Sequence, residues 1–384
     1  MGIISFSKID VQIIFPIIAG ISKLLNKIIF DLIPKEEKIK KNPLIISIFL
    51  YLGMILTFIP YCLFRNQTEI KKNIRTSNSK LALEYEHYNI NDKLRKKKYL
   101  LIFIGSLFDF CQTLAINIFC INCTYNLWIL DNLFIGLFSY FILKIELYRH
   151  QYFSIIMIIL FGIGLNIIEY KKTHKIDIYE IIGKIIGEIF FSALMVTNKY
   201  NMMETFSSPY EICFLEGIIG TILWVISLSI IILIGSKIDS DLLDIKKYYQ
   251  NLDFSIDLLI ALTTIIRGFI YNLFILLTCN SYNTNFVLII VIIHEAYPFL
   301  LFNEKFFLNA AGFITLLFIL LMVLVFLEII QLNFCQLSKY TRKNIGNRAN
   351  SEININFKPY ENTFDNTDEK LFNEQNDEDR KSVV

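Results

Sequence analysis

The chain carries its charges in short blocks, and between the blocks run nearly uncharged stretches of 18 or more residues. This pattern limits the possible folds more than any other feature. About 20 apolar residues coiled into a helix cross the ~30 Å hydrocarbon layer of a bilayer. Inside that layer only helices and closed barrels satisfy their own backbone hydrogen bonds. Ten such stretches can be read, at residues 10–33, 43–64, 99–121, 124–143, 151–170, 180–199, 210–234, 255–278, 284–302 and 308–333. The expected fold is therefore an all-α polytopic membrane protein with ten transmembrane helices. Total composition decides less, because the 54% hydrophobic content lies near the ~45–50% of soluble domains.

The connections set the topology. Met1 to Lys8 is too short and polar for a cleavable signal peptide, so the first span is expected to stay. Only Asn122 and Cys123 separate the third span from the fourth, which makes those two an antiparallel hairpin. The segment 65–98 carries Lys71, Lys72, Arg75, Lys80, Lys93, Arg95 and Lys96 to Lys98, and the positive-inside rule makes it cytosolic. The opposing loop 34–42 holds four lysines of its own and pulls the other way. With an even number of spans, both termini are then cytosolic. Residues 334–384 are rich in Asn, Asp, Glu and Lys and read as a disordered cytosolic tail.

An internal repeat is visible where spans four and five meet, at ILKIELYRHQYFS, and where spans nine and ten meet, at LLFNEKFFLNAAG. Each is an apolar helix end, a turn with one acid (Glu146, Glu304), and a new apolar helix. The expectation is a first five-helix repeat over 1–170 and a second over 171–333. Because five is odd, the two would be inverted relative to one another, with a solute site between them near the midplane.

Polar residues inside spans are costly, about 2.5–3.5 kcal/mol for a charge on insertion scales, and they face protein or a watery cavity. Asp131 and Asn132 stand about one turn into span four, and Asn132, Gly136 and Tyr140 recur at i, i+4, i+8. Alternatively, Asp131 lies at the interface and snorkels to water. Span three carries Ser106, Asp109, Thr113 and Asn117 as one polar stripe, to line a cavity or to join helices by hydrogen bonds. Span one carries Lys23 and Lys27, which repel unless an acid or an anionic solute lies near; alternatively, the span starts earlier and both lysines reach the interface. Span six reads Glu180, Lys184, Glu188 at four-residue steps and ends at Lys199. Glu216 lies in span seven, Arg267 and Tyr271 in span eight, and His294, Glu295 and Pro298 in span nine. His294 would titrate nearest neutral pH, as a proton relay or as a hydrogen-bonded structural residue.

Other chemistries find little footing. A net charge of +2 gives no argument for nucleic acid. The seven cysteines are scattered, and Cys120-x-x-Cys123 has no partner pair, so no metal site or cofactor is expected. G-x-S-x-G, H-E-x-x-H and Walker patterns do not occur, which argues against an enzyme.

In order and spacing, these features resemble the drug/metabolite transporter superfamily over most of residues 10–333, and most closely its solute carrier 35 F-type branch, the nucleotide-sugar-transporter-like proteins. IAGISKLLNKIIFDLI is similar to the family's opening helix, with Lys27 at its lysine. FDFCQTLAINI resembles the Asp-containing third helix, carrying Asp109 and Asn117. GLFSYFILK with the Gln151–Tyr152 turn resembles the end of helix four, and MVTNKYNMMETFSSPYEICFLEGIIG the connection from six to seven, with Lys199, Glu216, Gly217 and Gly220 at motif positions. The chain departs from the pattern at Trp128 and near Ile290, where the family has arginines suited to anionic solutes. The cysteine-bearing loop of chloroquine-resistance-type relatives is missing from Gly235 to Asp253.

The resemblance implies a secondary transporter that moves a polar organic metabolite, such as a nucleotide sugar or other small organic ion, by alternating access. Expected solute-binding residues are Lys27, Asp109, Thr113, Asn117, Asp131, Asn132, Lys199, Glu216, Arg267, Tyr271, His294 and Glu295. The expected partners are the solute and the lipid bilayer, with a homodimer allowed, in an intracellular organelle membrane. The rival functions are a non-transporting receptor or scaffold, a membrane enzyme acting on lipid, and a proton-coupled exporter of drug-like cations. The tail composition cannot bury enough apolar surface to offset chain ordering. Ending the chain at about residue 340 should therefore leave expression and thermal stability unchanged, and a joint loss of both would contradict this.

Overall fold

The computed structural model describes residues 4–6, 14–32, 43–64, 92–119, 127–145, 147–173, 178–205, 207–235, 254–281, 287–295, 306–327 and 329–332. Among them are ten α-helices of nine or more residues. They are α1 (Ile14–Leu32), α2 (Pro43–Ile55), α3 (Asp92–Phe119), α4 (Leu130–Leu143), α5 (Arg149–Thr173), α6 (Ile178–Thr205), α7 (Pro209–Gly235), α8 (Phe254–Ser281), α9 (Val287–Glu295) and α10 (Phe306–Phe326). Five apolar segments are long enough to cross a membrane: Ile46–Phe64, Leu94–Asn117, Arg149–Lys171, Pro209–Ile230 and Leu258–Asn280. Leu127–Leu143 and Ala310–Phe326 are shorter apolar helices. Among the described residues the protein is an all-α membrane protein apart from one two-stranded clasp.

The exposed surface shows why. Outward positions on the helices are large and apolar: Leu100, Phe103 and Leu107 on α3, Ile156, Leu160, Ile163 and Ile167 on α5, and Ile314, Leu317, Phe318 and Leu321 on α10. Ser106 and Asp109, on the other side of α3, are buried. Apolar side chains outside and polar ones inside suit a helix whose solvent is lipid.

Helix bounds differ from expectation in explicable ways. α3 begins at Asp92, so the basic run at residues 93–98 is helical rather than loop. Lysine and arginine are good helix formers and extend their stems along a helix towards water. α2 passes through a turn at Leu56–Thr57, where Thr57 Oγ1 donates to the Met54 carbonyl at 2.6 Å, and then coils on to Phe64. α4 stops at Lys144, whose left-handed φ of 55° turns the chain so that the Ile145 N–H returns to the Ser139 carbonyl at 3.2 Å. Tyr148 N–H donates to Gln151 Oε1 at 2.9 Å and opens α5. α9 spans Val287–Glu295 where a span over 284–302 is expected, and Pro298 lies outside the described residues. Also outside them are Glu146, Glu304, Cys120, Cys123, most of the loop 65–98 and the tail.

The helices pack in a regular scheme. α3 lies against α6, and α8 against α1. α2 lies against α8, and α7 against α3. α4 meets α6 and α9 meets α1, while α4 meets α5 and α9 meets α10. α2 touches α3 as α7 touches α8, and α5–α10 and α2–α7 are the remaining large contacts. Moving every helix five places along turns each of these contacts into another, except α5–α10 and α2–α7, which return to themselves. α6–α8 and α8–α9 have no counterpart of similar extent among the described residues.

Two apolar cores hold this arrangement. One joins Tyr51, Met54, Ile102, Leu194, Ile212, Trp224, Ile275 and Ile290 across seven helices counting Ala19 of α1. The other joins the one-turn helix Leu127–Ile129 to α5, α9 and α10 through Trp128, Ile158, Val291 and Ile319. β1 (Ile4–Phe6) pairs antiparallel with β2 (Ile330–Leu332), with Ile4 opposite Leu332. The chain entering α1 and the chain leaving α10 therefore lie side by side.

Glycine sets the closest helix approaches. A Cβ on Gly53 would meet the Ile265 carbonyl and the backbone at Gly268 and Phe269, and one on Gly268 would meet the backbone of Leu50. On the other flank of α2, a Cβ on Gly217 would stand 2.8 Å from Ile55 N, and one on Gly220 would strike the Tyr51 ring. α2 is thus wedged backbone to backbone between α7 and α8. Gly268→Leu should abolish folded protein, because backbone cannot move aside as a flexible side chain can. Gly164→Ala, where a Cβ meets nothing within 4 Å, should hold or raise the thermal midpoint. Fluorescence-detected size exclusion and a thermal melt of both variants check this.

Candidate functional site

Asp131 sits in the first turn of α4, where the positive end of the helix dipole favours a carboxylate. Asp131 and Asn132 are both 1% exposed, so the interface alternative for Asp131 does not hold in this fold. Ser192 Oγ of α6 approaches Asp131 Oδ1 at 3.5 Å. Glu188, one turn earlier on α6, presents its carboxyl to Asp131. Lys184, a further turn back, pairs with Glu188 at 2.9 Å. Lys23 of α1 also lies within electrostatic reach of Asp131.

Tyr271 of α8 ties these groups together. Lys23 Nζ stands 5.3 Å from the centre of its ring and the Arg267 guanidinium 5.8 Å. Tyr271 also senses the charges of Asp131, Glu188 and Asp109. Arg267 Nη1 donates to Asn26 Oδ1 of α1 at 3.4 Å. Two cations, Lys23 and Arg267, thus flank one aromatic ring that also feels the charges of Asp131 and Glu188, while Lys184 is held by Glu188. Both polar atoms of the Asn132 side chain, and Arg267 Nε, are buried with no hydrogen-bond partner among the described residues. Such groups are costly to leave unpaired, about 1–3 kcal/mol each, and mark a place where a polar ligand can bind.

A second polar cluster lies where α2, α3, α6 and α7 meet. Asp109 is hydrogen-bonded by Tyr51, whose hydroxyl is also 3.4 Å from Thr113 Oγ1. The Asn198 side chain hydrogen-bonds the Glu216 carboxyl, and Asp109 adds its charge to that of Glu216. Trp224 packs at 6.5 Å from the Tyr51 ring centre and closes the cluster on the α7 side.

The remaining expected residues are dispersed. Asn117 Nδ2 donates to Ser47 Oγ at 2.7 Å, joining α3 to α2. Lys199 Nζ donates to the carbonyls of Cys279 at 2.6 Å and Asn280 at 3.3 Å, at the carboxyl end of α8. A cation there satisfies orphan carbonyls and complements the helix dipole. Lys27 is half-buried on α1. His294 and Glu295 lie on the α9 backbone, with side chains outside the described residues. Tyr140 is 52% exposed, unlike buried Asn132 and Gly136, so the expected shared face ends before it. Steps of four overshoot the 3.6-residue turn, and two of them rotate the face by roughly 80°.

Tyr51, Asn198, Glu188 and Ser192 complete these clusters. Glu188 carried a signal in its four-residue spacing from Lys184. Tyr51 and Ser192 sit in apolar runs, and Asn198 beside Lys199, where their contacts depend on distant helices. At one end of the bundle Lys97 pairs with Glu204 at 2.8 Å and Lys98 with Glu211 at 2.5 Å, tying the start of α3 to the α6–α7 connection.

Compared with known proteins, the chain matches no family model and no curated sequence. Its chemistry must therefore be read from its own residues. Lys199→Met should lower the thermal midpoint in detergent, because a charged donor to two carbonyls contributes about 1.5–3 kcal/mol. Lys199→Arg should restore most of the loss, and equal midpoints for Met and wild type would remove the capping role.

Proposed function

We propose that the chain is a secondary transporter of the drug/metabolite type, with ten membrane spans in two inverted five-helix repeats. It moves a small polar organic solute by alternating access in an intracellular membrane, with both termini in the cytosol. The observation that carries this reading is the gathering of Lys23, Arg267, Asp131 and Glu188 around Tyr271, with Lys184 paired to Glu188, inside a bundle whose exterior is apolar. Charges so deep in a membrane protein are expensive unless a polar solute or a water-filled path uses them.

The helix pairing supports the repeat. Packing that reproduces itself when every helix is moved five places is what two five-helix units related by a pseudo-two-fold axis produce. Residues 1–170 and 171–333 are the proposed units. The clasp between β1 and β2 accords with an even number of crossings. The basic residues beside α3 favour the cytosol for that side.

Both signs of charge at the site favour a solute that is itself dipolar or carries an anionic group beside hydrogen-bonding hydroxyls, a class that includes nucleotide sugars. Lys23 and Arg267 over Tyr271 would hold the anionic part. Asp131, Glu188 and Asn132 would take hydroxyl or amino groups.

The test is uptake by proteoliposomes of a panel of radiolabelled polar metabolites, normalised to folded protein. Asp131→Asn and Arg267→Gln should each lower normalised uptake by about tenfold or more, the equivalent of one charge-assisted hydrogen bond, with the thermal midpoint retained. Normalised uptake unchanged in both variants would remove the site, and no uptake of any solute by wild type would favour a receptor or scaffold.

A further inference from the structure

Glu216 and Asn198 face each other with one hydrogen atom too few. The Asn198 side chain hydrogen-bonds the Glu216 carboxyl. Yet Glu216 Oε1 and Asn198 Oδ1 are both buried with no hydrogen-bond partner among the described residues. Their residues are 2% and 1% exposed, so water does not reach them from outside. The two oxygens are neighbours. A Cβ built on Gly105 would stand 2.6 Å from the first and 2.9 Å from the second. An ionised carboxylate only accepts, and so does an amide oxygen, so two acceptors would abut with no donor between them. Turning the amide over brings its N–H to Oε1 but sets its oxygen against the other carboxyl oxygen. A proton on Glu216 removes the mismatch. The acid O–H then donates to Asn198 Oδ1 while the amide N–H donates back, and the pair closes as a ring of two bonds.

No cation stands in for that proton. Among the described residues, Glu216 has no lysine or arginine at ion-pair distance. Asp109 of α3 adds its charge to that of Glu216. Tyr51 of α2 is bonded to Asp109 and lies near Thr113. Cys279 of α8 and Cys213, one turn earlier on α7, both sense the Glu216 charge. Lys199 of α6 also acts on Cys279, but its Nζ donates to the α8 carbonyls of Cys279 and Asn280. Glu211, at the start of α7, is held by Lys98. α3 covers the pair, because its backbone at Gly105 lies so close that any larger residue there would collide with both oxygens.

We propose that Glu216 is a protonation site: in this conformation it carries a proton donated to Asn198 Oδ1, and loss of that proton releases α3 from α6 and α7. Release breaks the Glu216 O–H bond and hands the proton to water, leaving a carboxylate opposite Asn198 Oδ1 and beside Asp109. An unpaired charge cannot stay buried there, so water must enter at Gly105, where α3 covers the pair. α3 belongs to the first proposed repeat, and α6 and α7 to the second. The protonated and deprotonated chains therefore favour different separations of the two. The site stands on contacts inside the bundle and holds whether or not the chain moves a solute.

The experiment is infrared difference spectroscopy of the purified full-length protein in lipid, titrated from neutral to alkaline pH, with ¹³C in its glutamate carboxyls. A protonated carboxyl absorbs apart from a carboxylate, and the label separates glutamate from aspartate. Glu188, the other buried glutamate among the described residues, is paired with Lys184. A labelled acid band is expected at neutral pH. It should vanish at alkaline pH, be absent from Glu216→Gln and remain in Asp109→Asn. Glutamine offers Asn198 Oδ1 an N–H in place of the acid O–H, so Glu216→Gln should fold and lose the pH response. A group protonated only in the folded chain contributes stability that is present at acid pH and lost as pH rises. By denaturant titration, the folding equilibrium of wild type should therefore weaken relative to Glu216→Gln by about tenfold per pH unit through the transition. Should Glu216→Gln not fold, Asn198→Ala removes the acceptor and should shift the band. The proposal is overturned by no labelled acid band at neutral pH, by a band that survives in Glu216→Gln or is lost in Asp109→Asn, by parallel pH slopes in wild type and Glu216→Gln, or by an unmoved band in Asn198→Ala. None of these readings depends on solute uptake, so a failure here leaves the transport reading to its own test.

Discussion

Nothing outside these helices can solvate a charge, and the rest of the structure follows from that. A soluble bundle turns its carboxylates and lysines outward at almost no cost. Here the outward faces of α3, α5 and α10 are rows of leucine, isoleucine and phenylalanine, so Asp109, Asp131, Glu188 and Glu216 all turn inward. Each must then find a partner inside the bundle, on its own helix or on another. The ion pair Lys184–Glu188, the Tyr51–Asp109 bond and the Asn198–Glu216 bond are the outcome. Lipid cannot drive helices together as water does, so close packing and polar contacts determine which helix meets which.

Glycine makes that close packing possible on both flanks of α2. Gly53 and Gly268 let α2 and α8 touch through their backbones, Gly217 does the same for α2 and α7, and Gly220 leaves room for the Tyr51 ring. The two polar clusters lie beside these contacts: Tyr51 and Glu216 next to Gly220 and Gly217, and Arg267 and Tyr271 next to Gly268. A small shift of α2 would therefore be felt by both clusters at once. Rigid backbone contact transmits displacement without the slack of flexible side chains.

Much of the fold was legible because its signal is local. A run of apolar residues is a helix in lipid whatever its neighbours do, and each of the ten stretches overlaps a helix among the described residues, where five segments are long and apolar enough to cross a membrane. Ends were harder, since charged residues such as those at 93–98 continue a helix past the apolar run. The site was legible residue by residue but not as a constellation. The stripe Ser106–Asp109–Thr113 announced an inward face of α3 by its spacing alone. Nothing in the sequence could say that Asp109 would meet Tyr51, 58 positions earlier, while Asp131 would meet Glu188 on α6. Asn117 and Lys199 show the converse. Each looked like a pathway residue, and each makes a bond that joins helices or ends one. Composition cannot separate those roles, because the same donor serves either.

The pairing of Ile4–Phe6 with Ile330–Leu332 has a further meaning for biogenesis. Ribosomes release a chain from its beginning, so the first strand emerges with its partner still more than three hundred residues from being made. Until α10 is complete its edge has nothing to zip against, and such unpaired edges invite wrong associations. Closure of this ribbon is then among the last events of assembly. It acts as a latch that shuts only on a fully synthesised bundle, and an edge left open would identify a truncated product.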